Sequence, residues 1–432
     1  MRQRPRGCDL GAADVAWRGT VPPTTSPPRP TPGNDRRAHR RAWRSSRRCA
    51  LIAGARHHVT IQTYVWEPDS EAARQLLAGL AELAARRAAD DPTAPPVEVR
   101  VMLDASTIGF GSTPLALPRL WAAVEALQLD PAHVTFELAA MYHATFGTLH
   151  VKTVVVDGRD AIVTGANPQT HHDPGTPWRD AGFHLTGEVA VSLLADFDSG
   201  WRQASLWTCG ADEAAEPQAC AAPTPRPTYV VRRPRLAAGT CRPMLIATRE
   251  IDESAFADRI DNPQDQAFLA GWAAARRHIR VQTPNLNDDA AKAGLLAAVL
   301  RGVQVDVVLS RGFNDLTEAL PGQGGTNAHN VTKLYQALAD AGVTDACDRL
   351  RIRWHARDGV AVDGNGAYAS HAKYASIDDE VAIVGTANMD TQSWNNSREL
   401  NVVVDDADLT AAWDEQLFLA DFEGGVPVDA CR

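Results

Sequence analysis

Two stretches of the chain, 220 residues apart, share one pattern of apolar and polar positions. Ala55-Arg56-His57-His58-Val59-Thr60-Ile61-Gln62-Thr63 and Ala275-Arg276-Arg277-His278-Ile279-Arg280-Val281-Gln282-Thr283 both close on alternating β-branched residues. That period-2 alternation predicts a strand. Ala/Leu-rich stretches with helical spacing follow, at 71–88 and 288–301, and then second apolar runs, Val97 to Leu103 and Val303 to Leu309. Third runs, Val151 to Val156 and Tyr374 to Ile377, lead into Ala161-Ile162-Val163-Thr164-Gly165-Ala166-Asn167 and Ala382-Ile383-Val384-Gly385-Thr386-Ala387-Asn388. The chain is therefore an internal repeat. Strands alternate with helices in each copy, so each copy is an α/β unit, and a site at the interface of two copies would be built twice over.

The stretch from Gly210 to Pro243, rich in Pro and Ala, reads as the connection between the copies. This divides the chain into a tail at 1–44, a first half at 45–209, a connection at 210–243 and a second half at 244–432. Composition adds that the 432 residues are 44% apolar and 22% charged, as in globular proteins. No apolar run approaches the roughly 18 residues of a membrane span. The seven cysteines, Cys8, Cys49, Cys209, Cys220, Cys241, Cys347 and Cys431, are odd in number and lack metal-like spacing, so free thiols are the default expectation.

Charge changes the picture at one end. Twelve Arg against three Asp give the first 50 residues a charge of +9, which leaves −19 for the rest of a chain whose total is −10. Its Pro-rich part, residues 1 to about 40, has no apolar periodicity and is expected to be disordered. No apolar stretch of secretory type follows its arginines. It reads either as an untethered tail or as a basic arm for anionic lipid headgroups, and the expected location is cytoplasmic or peripheral to a membrane. The acidic body disfavours a nucleic-acid partner.

The repeat carries chemistry. His150-Val151-Lys152-Thr153-Val154-Val155-Val156-Asp157 and His371-Ala372-Lys373-Tyr374-Ala375-Ser376-Ile377-Asp378 both read H-x-K-x-x-x-x-D. The two motifs use two of only four lysines, set against 39 arginines. On a strand, positions i and i+2 share a face, so His and Lys project together. A nucleophile or proton carrier beside a fixed cation suits a phosphodiester. The candidate catalytic set is therefore His150, Lys152, Asp157, His371, Lys373 and Asp378. Within it each Asp has the opposite parity and should face away and serve structure.

These motifs resemble the phospholipase D superfamily, from about residue 45 to the C-terminus. The downstream pattern is similar too: Gly165, Asn167 and Arg179-Asp180 after the first motif, and Gly385, Asn388 and Arg398-Glu399 after the second. Asn388-Met389-Asp390, Ser397-Arg398-Glu399-Leu400-Asn401 and Asp196-Phe197 to Trp201 look like the cardiolipin synthase and phospholipase branch. One departure is a single glycine in Thr164-Gly165-Ala166-Asn167, where many members have two. Another is the lack of the N-terminal membrane helices that many cardiolipin synthases carry.

The resemblance implies two pseudo-symmetric α/β units, each a mixed sheet flanked by helices, with the active site at their interface. It implies a phosphodiesterase or phosphatidyltransferase acting on glycerophospholipids through a phosphohistidine. His150 is then the nucleophile and His371 the general acid, the reverse assignment staying open. Lys152, Lys373, Asn167 and Asn388 would hold phosphate oxygens. Glu399 and Asp180 would orient His150 and His371 across the halves. No cofactor and no metal is implied, and one chain carries both motifs, so a monomer suffices. The competing readings are a metal-independent nuclease of the same superfamily and a non-catalytic lipid-binding protein.

Other features point less firmly to chemistry. His171-His172-Asp173 has metal-ligating residue types on a Pro- and Gly-rich loop, where surface exposure is the stronger expectation. Gly322-Gln323-Gly324-Gly325 lacks the Gly-Lys-Ser/Thr ending of a phosphate cradle and reads as a loop near the site. Asp104 and Ser310, each closing a second strand, should border the pocket. Trp66, Phe110 and Trp394 read first as core. The segments 105–149 and 311–330 read as loops that set headgroup preference.

Overall fold

A computed structural model of the chain describes residues 10–15, 49–90, 92–106, 116–143, 146–175, 177–207, 221–222, 242–254 and 258–431. The strands of the first half are β1 (Leu10–Val15), β2 (His58–Thr63), β3 (Val97–Ser106), β4 (Val134–His143), β5 (Thr153–Val156), β6 (Asp160–Thr164), β7 (Gly182–Gly187), β8 (Ser205–Trp207) and β9 (Ala221–Ala222). Those of the second half are β10 (Arg242–Arg249), β11 (His278–Thr283), β12 (Gln304–Leu309), β13 (Leu350–Trp354), β14 (Ala356–Arg357), β15 (Val360–Ala361), β16 (Tyr374–Ile377), β17 (Val381–Gly385), β18 (Glu399–Asp405) and β19 (Val426–Pro427).

The two halves repeat one mixed sheet. In the first, β2, β3 and β4 run parallel, while β5, β6 and β7 extend the other side of β2 antiparallel. In the second, β11, β12 and β13 run parallel and β16, β17 and β18 extend antiparallel. The motif strands β5 and β16 are buried along their whole length, as expected of central strands covered on both faces. Helices 71–90 and 188–203 flank the first sheet, and helices 263–274, 289–300 and 327–340 the second. The second set starts on capping residues: Asn262, Asp288 and Thr326 each accept a first-turn amide.

One apolar cluster is shared between the halves. Leu193, Phe197 and Trp201 of the first pack with Tyr374, Leu400, Trp413 and Phe418 of the second. Each half also has its own core, around Ile61, Leu80 and Val101 and around Val281, Leu295 and Val307.

The structure differs from the sequence reading in four places. Inside the segment expected to be disordered, Leu10–Val15 is a strand, antiparallel to both β7 and β10. The backbone edge of each sheet supplies the pairing that no apolar pattern announced; the rest of residues 1–48 lies outside the described residues. The expected connection ends earlier than Pro243, because β10 starts at Arg242. The segment 105–149 is not simply a loop: it holds helix 116–125 and β4, and 311–330 holds the short helix 315–318. Finally, Cys347 and Cys431 form a disulfide across 84 residues, against the free-thiol default; such bonds persist in oxidising surroundings. Cys49 is free. No helix among the described residues is long and apolar enough to cross a membrane.

Two ion pairs, one fully buried and one with a half-buried arginine, lock the halves together. Arg398 of the second half reaches Asp196 of the first at 2.7 Å, where Gln62 also donates to the same carboxylate. Arg179 of the first half reaches Asp421 of the second at 2.8 Å, with Gln282 donating in the same way. Removing one partner leaves a charge buried without its counter-ion, which costs about 3–5 kcal/mol. Asp421→Ala is expected to lower the unfolding free energy by that amount in urea titration. A loss below about 1 kcal/mol, typical of a surface pair, would refute the lock.

Candidate active site

Each motif His is placed by an exchange of backbone between the halves. The His150 amide donates to the Arg398 carbonyl at 2.9 Å, and the Arg398 amide donates to Thr148 at 2.8 Å. The His371 amide donates to the Arg179 carbonyl, and the Arg179 amide to Ala369, both at 2.7 Å. The residue before each His is tethered as well. Asp104 accepts the Leu149 amide at 2.6 Å, and Ser310 donates to the Ser370 carbonyl at 2.5 Å. Asp104 and Ser310 thus act as equivalent tethers at the ends of β3 and β12. Asp104 also meets His143 at 2.9 Å.

The acids that follow the two arginines cross over with them. His150 Nδ1 lies 2.7 Å from Glu399 Oε1, and His371 Nδ1 lies 2.8 Å from Asp180 Oδ2. These are the crossed contacts expected from the sequence. Each leaves Nε2 as the ring nitrogen turned away from its acid. Lys152 and Lys373 each donate to the carbonyl of their own motif His, both at 2.6 Å. All six side chains are buried.

Burial and charge set the protonation of this chamber. Burial pushes Lys152 down to about 7, with nearby acids pulling it back, and Lys373 down to about 8. Burial, then the two ammonium groups, hold His150 well below the ordinary imidazole range and lower His371 to about 3. Both rings are therefore neutral at pH 7 in the free protein.

The two acids are not alike. Burial raises Glu399 to about 7 against the opposing pull of Lys152, Ser393 and Thr386. Burial works the same way on Asp180, but the hydrogen bond and charge of His371, with Lys373, outweigh it and hold the carboxyl well below the usual range. The difference is also structural. Ser393 donates to Glu399 Oε1 at 2.6 Å and Thr386 to Oε2 at 2.5 Å. The repeat places Gly165 where the second half has Thr386. A Cβ on Gly165 would stand 2.4 Å from Asp180 Oδ1 and 2.9 Å from the Lys373 chain. The departure from a double glycine therefore leaves the one glycine that close approach requires.

Four residues of the predicted set do not contact the motif imidazoles; two of them were expected to turn away. Asp157 and Asp378 are not in the chamber. Asp157 accepts the amides of Arg56, His57 and His58, and Asp378 those of Arg276, Arg277 and His278. They tie the entry of β2 and β11 to the ends of β5 and β16, as their parity foretold, and their carboxylates are spent there and not on His150 or His371. Asn167 and Asn388 are buried, but their side chains serve neighbours. Asn167 accepts from Thr63 and Val65 and donates to Gln169; Asn388 donates to Asp390 at 2.7 Å.

The lesser candidates resolve too. His171, His172 and Asp173 do not converge: Asp173 accepts the Glu71 amide, His171 packs 4.4 Å from Trp178, and His172 faces Asp180. Trp66 and Trp394 are core residues, and Phe110 lies outside the described residues. Gly324 packs against Asn287 and Thr391.

Sequence reasoning missed the aromatic walls. Tyr64 stands edge-on to His150 at 5.2 Å and under Lys152 at 5.3 Å. Trp178 and Phe313 flank His371 at 5.4 and 5.7 Å. These have no counterpart in the repeat, so the pattern that found the motifs could not find them. Asp421 could have been found, since Asp196-Phe197 recurs as Asp421-Phe422.

Comparisons with known proteins agree with this geometry. A family model described as "Cardiolipin synthase, PLD-like domain" matches residues 271–419. In fold, the chain resembles a phosphatidylserine synthase from Haemophilus influenzae, with a TM-score of 0.58 over 90% of this chain and 86% of that one, at 15% identity. The second half of the chain thus matches a phospholipase D-like family model, and the whole chain is similar to proteins of that kind. Cardiolipin synthase 1 of Bacillus cereus is 23% identical over 360 residues, covering 81% of this chain and 58% of that protein. Cardiolipin synthase A of Pseudomonas putida is 25% identical over 385 residues, covering 87% and 65%. The chain thus spans about three-fifths of the length of these phospholipase D-like relatives.

Two of only four lysines lie in the chamber, which makes it accessible to lysine-resolved NMR. The Lys152 and Lys373 side-chain resonances should titrate with midpoints near 7 and 8. An added phosphate analogue such as vanadate should move both midpoints upward, because an anion favours the ammonium form. Midpoints near the ordinary lysine value would contradict the chamber's electrostatics.

Proposed function

We propose that the chain is a phospholipase D-type phosphodiesterase or phosphatidyltransferase that acts on glycerophospholipids through a phosphohistidine. The observation that carries this reading is the pair of crossed His–carboxylate contacts around two buried lysines. A neutral imidazole whose Nδ1 is held by Glu399 presents Nε2 as a nucleophile, so His150 attacks phosphorus. His371 gives its proton to the leaving alcohol oxygen as the P–O bond breaks. Water or a second alcohol then gives its proton back to His371 and attacks phosphorus. The N–P bond breaks, and phosphatidate or a phosphatidyl alcohol leaves.

The low value of His371 in the empty chamber is consistent with that role. After burial, the ammonium groups are what lower it. A phosphodiester between them would offset both charges, and Asp180 would then favour the imidazolium. Lys152 and Lys373 supply the charge for the non-bridging oxygens, while Asn167 and Asn388 support that pocket through their neighbours. Asp157 and Asp378 serve the strands that carry the motifs. The lipid is met at a membrane surface, and the basic tail offers a peripheral contact there.

The test is mass spectrometry of products from mixed phospholipids with a primary alcohol. The expected products are phosphatidate, the phosphatidyl alcohol or both. A protein that leaves every lipid intact and cleaves single-stranded DNA is the nuclease alternative and sinks the proposal. His150→Ala should cost on the order of a thousandfold or more in turnover and abolish an acid-labile phosphoryl adduct on the chain. On the alkaline side, kcat/KM should fall as Lys152 and Lys373 lose their protons between about 7 and 8. A rate that is flat from pH 6 to 9 would contradict the role of the lysines.

A further inference from the structure

One cluster of metal-ligating side chains extends beyond the catalytic pairs. His172, Asp180 and His371 each offer a ligand atom, and the three atoms lie within 4.8 Å of one another. Asp180 Oδ2 is the centre of the group, 2.8 Å from His371 Nδ1 and 3.9 Å from His172 Nε2. Tetrahedral zinc with bonds of about 2.0–2.1 Å places its ligands roughly 3.3 Å apart. The His371–Asp180 contact must therefore open by about half an ångström, while His172 must move toward both: its separation from Asp180 closes by about half an ångström, and its separation from His371, at most 4.8 Å, by up to about 1.5 Å.

The group is held in place before any ion arrives. The turn 170–172 is pinned where Glu67 accepts from the Thr170 amide and hydroxyl, and where Asp173 accepts the Glu71 amide. Trp178 lies against both rings, 5.7 Å from His172 and 5.4 Å from His371. Two imidazoles and one carboxylate form a borderline donor set that suits zinc. Calcium and magnesium prefer all-oxygen shells. The Lys373 ammonium, committed to the His371 carbonyl, opposes a dication, so a weak, reversible site is expected and not a structural one.

We infer that His172, Asp180 and His371 form an inhibitory zinc site that takes the His371–Asp180 pair out of use while the ion is bound. The inhibition rests on the function proposed above; the binding does not. His172 lies outside the catalytic set, so it separates the two.

The experiment is zinc titration of the full chain by calorimetry, run beside turnover assays. Wild type should bind one zinc and lose activity, with EDTA restoring it, while calcium at the same concentration does neither. His172→Ala should weaken binding by more than about tenfold, keep its basal turnover and resist zinc. His172→Asp, which keeps a ligand, should retain binding and guards against misfolding as the cause. No zinc binding, or binding unchanged in His172→Ala, overturns the site. Binding lost in His172→Ala by a protein without lipid activity upholds the site and overturns the proposed function instead.

Discussion

The exchange of one dipeptide between the halves is the constraint on which the rest depends. Arg179-Asp180 and Arg398-Glu399 each stand at the entry to a strand of their own sheet, and the arginine of each pairs by backbone with the segment before the opposite motif His. In both, the arginine anchors on a helix-borne acid of the far half, and the next residue holds the far imidazole. Each imidazole takes its orienting carboxylate from the other half. A charge as buried as that of Arg398 is tolerated only with its partners in place, so assembly of the halves and orientation of the site are one event.

The site then follows from desolvation. Closing the halves over four ionisable groups, two from each motif, removes water from two ammonium ions and two imidazoles at once. Lysines survive there because acids from the opposite half lie close. The histidines stay neutral because burial and the two ammonium charges both oppose their protonation. The ionisation of each group is thus set by residues of both halves, and no single motif would have these properties alone.

Much of this was legible in the sequence. The repeat at offsets of 220 and 221, the period-2 runs and the duplicated His-x-Lys pointed to the two α/β units, and the family resemblance carried by those motifs implied the crossed pairs. The parity of Asp157 and Asp378 foretold that they would turn away. What was not legible has physical reasons. Tyr64, Trp178 and Phe313 are unduplicated, so no internal comparison singles them out. Asn167 and Asn388 have amides that serve any polar neighbour, and which neighbour wins is decided by loops such as Val65 and Gln169. The strand at Leu10–Val15 has small and mixed residues; its backbone is recruited by two open sheet edges, which a pattern of side chains does not encode. The Cys347–Cys431 bond joins positions 84 residues apart, a pairing that spacing alone does not choose.

The contrast between Gly165 and Thr386 has a consequence for the history of the molecule. A perfectly duplicated site would be reversible in its roles, with either histidine equally fit to receive the phosphoryl group. Once one copy kept a hydroxyl against its acid and the other had to surrender its whole side chain, the halves ceased to be interchangeable parts. A dimer of two first halves, or of two second halves, would rebuild the fold's outline without its polarity. The duplication accounts for the shared architecture, and the position held by Gly165 and Thr386 is where the surroundings of the two acids part.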